Sequence, residues 1–280
     1  MTNSALGPAL HPAPAAGAGA VERRLRARRD TGRGLLMPYV TGGITPGWTD
    51  YLRAFAAAGA DAIEVGLPFS DPTLDGVTIQ QAGDTALARG RAPAGSSPTC
   101  PACRPGRAPG RQHLLQPGAA RGPRGVLRRA APGGVGGLIV PDLPVHEADE
   151  LEGAAAAAGI ELSLLASPAT PQPRLAEISR RSRGFVYAVS LMGTTGERTA
   201  LAASAAELTE RIRRVTDRPV LLGFGISTPD QAREARRHAD GVVVGAAVMR
   251  RVLDGAGPDD LRAFLTTLRQ ALDQECDRPR

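Results

Sequence analysis

The sequence contains no lysine, and all 34 of the basic residues among its 280 are arginine. This absence excludes a Schiff-base lysine, a lysine-bound pyridoxal phosphate and a Walker A lysine. Asparagine occurs only at Asn3, and the loss of both residue types indicates a GC-rich genome. Aromatic residues make up only 3% of the chain and hydrophobic residues 42%, so the sequence predicts a sizeable, mainly aliphatic core.

Long apolar runs are also missing. No run approaches the 18 residues that a membrane span needs, so we expect no contact with a membrane. Residues 1–20 lack a basic start and an apolar core, and their Ala/Pro/Gly/Ser composition predicts a disordered tail rather than a secretory signal. The three cysteines, Cys100, Cys103 and Cys276, do not suit a disulfide framework, so we expect a cytoplasmic protein.

Acidic residues are absent from one long segment, residues 91–137, which holds eight arginines. Without it the chain has 26 basic and 28 acidic residues, a net charge of −2, so the overall +6 belongs to this segment alone. The segment has no aromatic residue for base stacking and no recognition helix, so its arginines give only weak support for nucleic-acid binding.

Apolar strand patterns alternate with helical patterns along most of the chain. The predicted strands are 34–40, 61–66, 137–141, 161–166, 184–190, 219–223 and 240–245. The predicted helices are 21–30, 48–58, 76–89, 145–158, 172–181, 203–215, 229–238, 246–253 and 259–273. Continuous apolar strands at this spacing favour a single (β/α)8 TIM barrel over residues 21–275. An open doubly wound sheet is the alternative, but no G-x-G-x-x-G follows the first strand.

The third βα unit of that barrel is missing from the pattern. Between residues 91 and 137, 18 of 47 residues are Pro or Gly, and neither a strand nor a helix is predicted. We therefore expect an irregular segment at 91–133. Its Cys100-Pro-Ala-Cys103 motif is interpreted as accidental, because only His113 is near enough to help bind zinc and a redox motif would open a helix.

Carboxylates cluster around the second predicted strand. Glu64 lies within an apolar run, so it must face the barrel interior or its mouth, where burial would raise its pKa and suit it to acid–base chemistry. Asp71 and Asp75 follow in the loop at the carboxyl end of the strand, which is the active-site face of a barrel. The alternative is that Glu64 is a paired structural acid and that the aspartates cap a helix.

Glycines follow three of the later strands. Gly223-Phe224-Gly225 and Gly245-Ala246 lie after the last two strands, where barrels commonly bind phosphate, although the glycines could simply form tight turns. The segment Gly193–Arg198 has the composition of a mobile lid, or of a plain surface loop. The four histidines are scattered, so no Ser-His-Asp set can be argued.

The motifs together resemble one family. They are Met37-Pro-Tyr-Val-Thr-Gly-Gly43, Ile63-Glu-Val-Gly-Leu-Pro-Phe-Ser-Asp-Pro72 with Asp75-Gly76, Val140-Pro-Asp-Leu-Pro144, Gly223-Phe-Gly-Ile-Ser227 and Val244-Gly245. In this order they resemble the tryptophan synthase alpha subunits over about residues 21–90 and 134–270. The resemblance implies a TIM-barrel lyase of tryptophan biosynthesis that cleaves indole-3-glycerol phosphate to indole and glyceraldehyde 3-phosphate without a cofactor or metal.

The resemblance also implies roles for individual residues. Glu64 matches the acid–base residue, and Asp75 matches the residue that stabilises positive charge on the indole ring. The remaining matches are substrate-binding: Tyr187, Thr195 and Phe224 line the site, and backbone groups of Gly196, Gly225, Gly245 and Ala246 hold the phosphate. The implied partner is a tryptophan synthase beta subunit in an alpha2beta2 heterotetramer.

The sequence departs from the family in two places. Ala246 stands where the family usually has serine, which removes one hydroxyl from the phosphate site. Residues 91–133 match nothing in the family, and we hypothesise a frameshifted segment: read one base later, codons for residues 112–118 can encode Ser-Ile-Tyr-Tyr-Asn-Pro-Val. The alternative function is therefore a non-catalytic phosphate-binding or partner-binding barrel, inactivated by its disrupted middle.

Overall fold

The fold is a closed barrel of parallel strands surrounded by helices, as the sequence pattern predicts. The computed structural model describes residues 17–70, 75–89, 112–116, 134–189, 198–223 and 225–274. Its strands are β1 (Leu35–Thr41), β2 (Ala62–Gly66), β3 (Gln112–Gln116), β4 (Val135–Ile139), β5 (Glu161–Ser163), β6 (Leu165–Ala166), β7 (Val186–Val189), β8 (Val220–Gly223) and β9 (Gly241–Val244). All pairs of neighbouring strands in the described part of the chain are parallel.

The sheet has the order β5-β4-β3-β2-β1-β9-β8-β7-β6. Its two ends, β5 and β6, are the two halves of one extended segment interrupted at Leu164, so the sheet closes on itself and has eight barrel positions. At the interruption the Leu164 amide donates to the Ser182 hydroxyl at 3.1 Å, while its carbonyl accepts from the Tyr187 amide of β7 at 3.1 Å. Barrel closure leaves no unpaired strand edge at this position.

Helices cover the outer face of the sheet and one end of the barrel. They are α1 (Ala20–Asp30), α2 (Thr49–Ala57), α3 (Val77–Ala88), α4 (Asp149–Ala157), α5 (Gln172–Arg181), α6 (Arg198–Arg213), α7 (Pro229–His238), α8 (Ala246–Leu253) and α9 (Pro258–Asp273), with one 3-10 turn at Val145–Glu147. Most of the buried apolar side chains belong to one cluster, to which both the helices and the strands contribute. No helix in these ranges is long and apolar enough to cross a membrane.

A second, smaller core fills the inside of the barrel. It contains Leu35 and Met37 from alternate positions of β1, with Leu221 and Val243 from β8 and β9. Val21 and Leu25 of α1 belong to the same cluster, so α1 closes the amino-terminal end of the barrel. Since side chains alternate along a strand, the next inward position of β1 after Met37 is Tyr39, toward the opposite, carboxyl-terminal end.

The amino-terminal end of the barrel is held by long-range carboxylate contacts. Glu161 of β5 accepts the Val21 amide at 2.6 Å and the Glu22 amide at 3.1 Å, so it caps the first turn of α1. Asp61 accepts the Leu36 amide at 3.0 Å and one guanidinium N–H of Arg269 at 3.1 Å. These contacts stabilise the fold on the face opposite the active-site end.

One expectation from the sequence was wrong. No strand was predicted between residues 91 and 137, but β3 lies there and pairs with β2 on one side and β4 on the other. β4 also begins at Val135, two residues before the predicted strand. Within 91–133 the structure describes only residues 112–116, so the predicted irregularity elsewhere in that segment, and the Cys100–Cys103 motif, lie outside the described residues.

Candidate active site

Glu64 is the acidic residue at the centre of the site. It is the third residue of β2, lies opposite Tyr39 of β1 and Leu114 of β3 in the strand register, and is 1% exposed. The sequence prediction that this carboxyl faces into the protein is therefore confirmed. Its position near the carboxyl ends of the strands places it on the side of the barrel where active sites are built.

The protonation of Glu64 is strongly perturbed. Burial, followed by repulsion from Asp75, raises the pKa of Glu64 to about 8. Its Oε2 atom is buried and has no hydrogen-bond partner among the described residues. An unpartnered buried carboxyl oxygen is costly in free energy, and it is typical of a group that completes its contacts only with a ligand.

Tyr39 forms the wall beside Glu64. Its hydroxyl lies 3.2 Å from Thr41 Oγ1, and its ring lies over Gly66, where an added Cβ would come within 1.9 Å of the Tyr39 hydroxyl. Burial raises the pKa of Tyr39 above its ordinary value, with smaller contributions from Glu64 and Asp75, so the phenol stays neutral at physiological pH. The sequence did not single out this residue, although strict alternation from Leu35 would have placed it inward.

Asp75 is half-buried and lies just before α3. Burial raises the pKa of its carboxyl. Its charge acts on Glu64, Tyr39 and Tyr187, so these four ionisable groups share one electrostatic environment. Asp75 is thus brought together with Glu64 as the sequence predicts.

Tyr187 approaches the site from the far side of the barrel. It is on β7, in register with Leu165 of β6 and Leu221 of β8. Its ring lies against Gly223, where an added Cβ would be 2.6 Å from Tyr187 Cε2. Tyr187 as a whole is partly exposed, but its hydroxyl group is buried. This burial, followed by repulsion from Glu64, raises the pKa of Tyr187 well above its ordinary value.

The predicted phosphate cradle lies at the start of α8. Gly245 is the N-cap residue and Ala246 the first helical residue, and no side chain within the described ranges caps this helix. Amide groups at an uncapped helix amino terminus bind anions well. Gly245 also borders the carboxylate site, because a Cβ placed on it would lie 3.7 Å from Tyr39 Cβ and 3.7 Å from Ile79 Cδ1.

The neighbouring loop after β8 differs from the loop after β9. Gly225 has a φ of +60°, which a residue with a side chain adopts only with strain, and none of the described atoms lies within 4 Å of an added Cβ. The following helix α7 already has a capping box, in which Thr228 accepts the Gln231 amide and Gln231 accepts the Thr228 amide. Of these two helices, α8 is therefore the one whose first amides lack a side-chain cap.

Several sequence-predicted residues lie outside the described residues: Asp71, the segment Gly193–Glu197 with Thr195 and Gly196, and Phe224. No group of three or more His, Cys, Asp or Glu within the described ranges is arranged to bind a metal ion. The residues missed by sequence reasoning are Tyr39, Thr41, Gly66 and Gln80. Tyr39, Thr41 and Gly66 carried a usable signal, namely their inward positions in the strands, whereas Gln80 did not.

Known proteins resemble this chain over nearly its whole length. The family model for the tryptophan synthase alpha chain matches residues 25–274. The tryptophan synthase alpha chain of Gluconacetobacter diazotrophicus is 43% identical over 260 residues, which cover 89% of this chain and 94% of that one. That of Picosynechococcus is 38% identical over 267 residues, covering 90% and 98%.

Solved structures agree in fold. A chain of Mycobacterium tuberculosis tryptophan synthase superposes with a TM-score of 0.83 at 32% identity, covering 92% of this chain and all of the other. The tryptophan synthase alpha subunit of Legionella pneumophila gives a TM-score of 0.77 at 26% identity, covering 92% and 99%. This chain therefore belongs to the tryptophan synthase alpha chain family, and it is a lyase that cleaves indole-3-glycerol phosphate.

Proposed function

We propose that Glu64 is the general acid and base of the cleavage reaction. The observation that carries this proposal is its buried Oε2 atom, which has no hydrogen-bond partner among the described residues, at the active-site end of the barrel. Asp75 is near enough to act on this carboxyl by charge repulsion. With a pKa of about 8, Glu64 holds its proton at neutral pH and can donate it first. The acid role therefore precedes the base role in one turnover.

The reaction balances with this one carboxyl. Glu64 gives its proton to carbon C3 of the indole ring, and the ring nitrogen takes up the positive charge. The bond between C3 and the side-chain carbon then breaks, its electron pair returns to the ring, and the neighbouring hydroxyl loses its proton to the Glu64 carboxylate. Indole and glyceraldehyde 3-phosphate leave, and Glu64 is protonated again.

Asp75 is proposed to stabilise the positive charge that develops on the indole ring. Its carboxylate supplies negative charge where that positive charge forms, which is the electrostatic contribution that lowers barriers most effectively. The high pKa of Glu64 supports a short separation between the two groups, because Asp75 contributes to it by repulsion. Tyr187, Thr195 and Phe224 are proposed to line the indole pocket.

The phosphate is proposed to bind the backbone groups of Gly196, Gly225, Gly245 and Ala246. The start of α8 supports this assignment, since none of the described side chains caps its first amides. The position of Gly245 beside Tyr39 supports a substrate that spans from the α8 end to the carboxylates.

Indole release by purified protein tests these assignments. Glu64→Gln is expected to lower kcat by 10²- to 10⁴-fold, the usual contribution of a general acid–base group. Asp75→Asn is expected to lower kcat strongly with little change in KM, because the charge it stabilises is absent from the bound substrate. Near-normal turnover by Glu64→Gln, in protein that is folded by circular dichroism, would rule out the proposed acid–base role.

The chain is proposed to work in the cytoplasm with a beta subunit, as two alpha and two beta chains. Its relatives are named as tryptophan synthase alpha chains, and the similar M. tuberculosis chain comes from a tryptophan synthase structure. Light scattering of the chain mixed with a beta subunit would give the mass of the complex. A mass that fits one chain of each kind would contradict the proposed stoichiometry.

A further inference from the structure

The main chain at Asp75 is held by a side chain from the helix that follows it. Gln80, in the first turns of α3, directs its Nε2 group back to the carbonyl oxygen of Asp75 at 2.8 Å. Long side chains of a helix lean toward its amino terminus, so a residue one turn into the helix can reach the chain that precedes it.

This hydrogen bond is not an ordinary helix cap. A cap residue accepts hydrogen bonds from the free amides of the first helical turn, and the N-cap residue of α3, Gly76, has no side chain to do so. Gln80 instead donates to a carbonyl that lies outside the helix. The bond therefore fixes the position of Asp75 rather than the end of α3.

The helix that carries Gln80 is fixed against the phosphate end of the site. Ile79 packs near Gly245, and the Gln81 side-chain oxygen accepts from the Arg250 guanidinium of α8 at 3.1 Å. Ala82 of α3 is fully buried in the core. These contacts fix the position of α3 relative to α8. The hydrogen bond from Gln80 in turn fixes the position of the Asp75 main chain relative to α3.

We propose that Gln80 is a positioning residue for Asp75: its side-chain amide holds the Asp75 main chain so that the carboxylate faces the barrel mouth beside Glu64. This inference rests on the role of Asp75 under Proposed function. Gln80 is not proposed to contact the substrate or the reacting atoms. Its contribution is to keep the Asp75 charge where the indole ring becomes positive, since electrostatic catalysis depends on groups that are already in place.

The experiment uses the full-length chain and compares two glutamines on different helices. Gln80→Met keeps the length of the side chain but removes the amide donor, and Gln270→Met, at an exposed position of α9, is the matched control. Indole release from indole-3-glycerol phosphate gives kcat and KM for both. Gln80→Met is expected to lower kcat about tenfold with KM changed less than about twofold, while Gln270→Met stays within about twofold in both.

A double-mutant cycle separates positioning from a general structural effect. In an Asp75→Asn background, Gln80→Met is expected to cause almost no further loss of kcat, because the charge that Gln80 positions is gone. The melting temperature of Gln80→Met is expected to stay close to that of the parent chain. If Gln80→Met lowers kcat equally in both backgrounds, or lowers it no more than Gln270→Met does, the inference is wrong.

A second substitution keeps the test informative if Gln80→Met folds poorly. Gln80→Glu preserves shape but at neutral pH places a carboxylate against the Asp75 carbonyl, so it is expected to lower kcat more than the methionine does. Normal kcat in Gln80→Glu would also overturn the inference. The two proposals fail in different ways. If Asp75→Asn is active, the proposed role of Asp75 is wrong. If Asp75→Asn is inactive but the Gln80 variants have normal kcat, only the proposed role of Gln80 is wrong.

Discussion

Tyr39 and Glu64 lie directly opposite each other on neighbouring strands, yet the Tyr39 hydroxyl is hydrogen-bonded to Thr41. The Oε2 atom of Glu64 is left without a partner among the described residues. The Tyr39 hydroxyl therefore already has a hydrogen-bond partner, so it does not offset the free-energy cost of burying the Glu64 carboxyl. Burial, followed by repulsion from Asp75, raises the pKa of Glu64, and no hydrogen bond from Tyr39 to the charged form offsets that shift.

The raised pKa of Glu64 predicts that stability falls as pH increases. An unfolded glutamate titrates near pH 4.3, so between about pH 4.5 and 8 the folded protein holds a proton that the unfolded chain has lost. The free energy of unfolding should decrease through this window by up to about 1.4 kcal/mol per pH unit from this group. Glu64→Gln should lack that slope. Urea unfolding at about pH 5.5 and 7.5 compares the two proteins, and parallel slopes would refute the prediction.

Removal of the Asp75 charge should lower the pKa of Glu64. Asp75 is the second cause of the shift after burial, so Asp75→Asn should move the titration of Glu64 to lower pH while leaving it above that of an exposed glutamate. The infrared carbonyl band of the protonated carboxyl follows this titration, with Glu64→Gln as the blank. An unchanged midpoint would mean that the two carboxyls do not interact.

Gly66 should not accept even one added methyl group. A Cβ at this position would lie 1.9 Å from the Tyr39 hydroxyl and 2.5 Å from Cζ, and both belong to a buried ring. Gly66→Ala should displace Tyr39, lower stability by about 1–3 kcal/mol and reduce turnover.

Gly153 provides the matched control for that substitution. It lies within α4, and nothing lies within 4 Å of an added Cβ. Gly153→Ala should raise the free energy of unfolding by about 0.5–1 kcal/mol, because alanine favours the helix. Melting temperatures of the two variants should move in opposite directions, and a shared direction would contradict the steric argument.

Ala246→Ser should strengthen binding of the phosphate group. The serine hydroxyl would add one donor at the first residue of α8, and a hydrogen bond to a charged group contributes about 1.5–3 kcal/mol. We expect KM for indole-3-glycerol phosphate to fall about tenfold with kcat nearly unchanged. Ala247→Ser, at the next position and packed against the core, is the control. Calorimetric titration with glycerol phosphate checks the result without turnover.

Glu161 should be more important for stability than its place on a short strand indicates. It accepts two amides of α1, so Glu161→Ala would leave both without that partner and should cost about 1–3 kcal/mol. Glu161→Gln retains one acceptor oxygen and should cost less. Urea unfolding of both variants measures the difference, and equal stability of Glu161→Ala and the parent chain would show that water replaces the carboxylate.

The sequence could predict the barrel because seven of its strands are uninterrupted apolar runs followed by helical patterns. It could also predict that the Glu64 side chain lies inside the protein, since both faces of a continuous apolar strand are buried in a parallel barrel. It could not predict β3, whose residues lie among prolines and glycines and form a strand only by pairing with β2 and β4. It could not predict Gln80 as a contact of Asp75, because that bond depends on the path of the chain around Gly76.

The contact between α1 and Glu161 joins residues 140 positions apart. On the ribosome, α1 leaves the tunnel long before its partner has been translated. At about 5–20 residues per second, the helix waits roughly 7–28 seconds for the carboxylate that caps it. The apolar side chains of Val21 and Leu25 are likewise buried only after the later strands that complete their cluster, such as β8 and β9, have been translated.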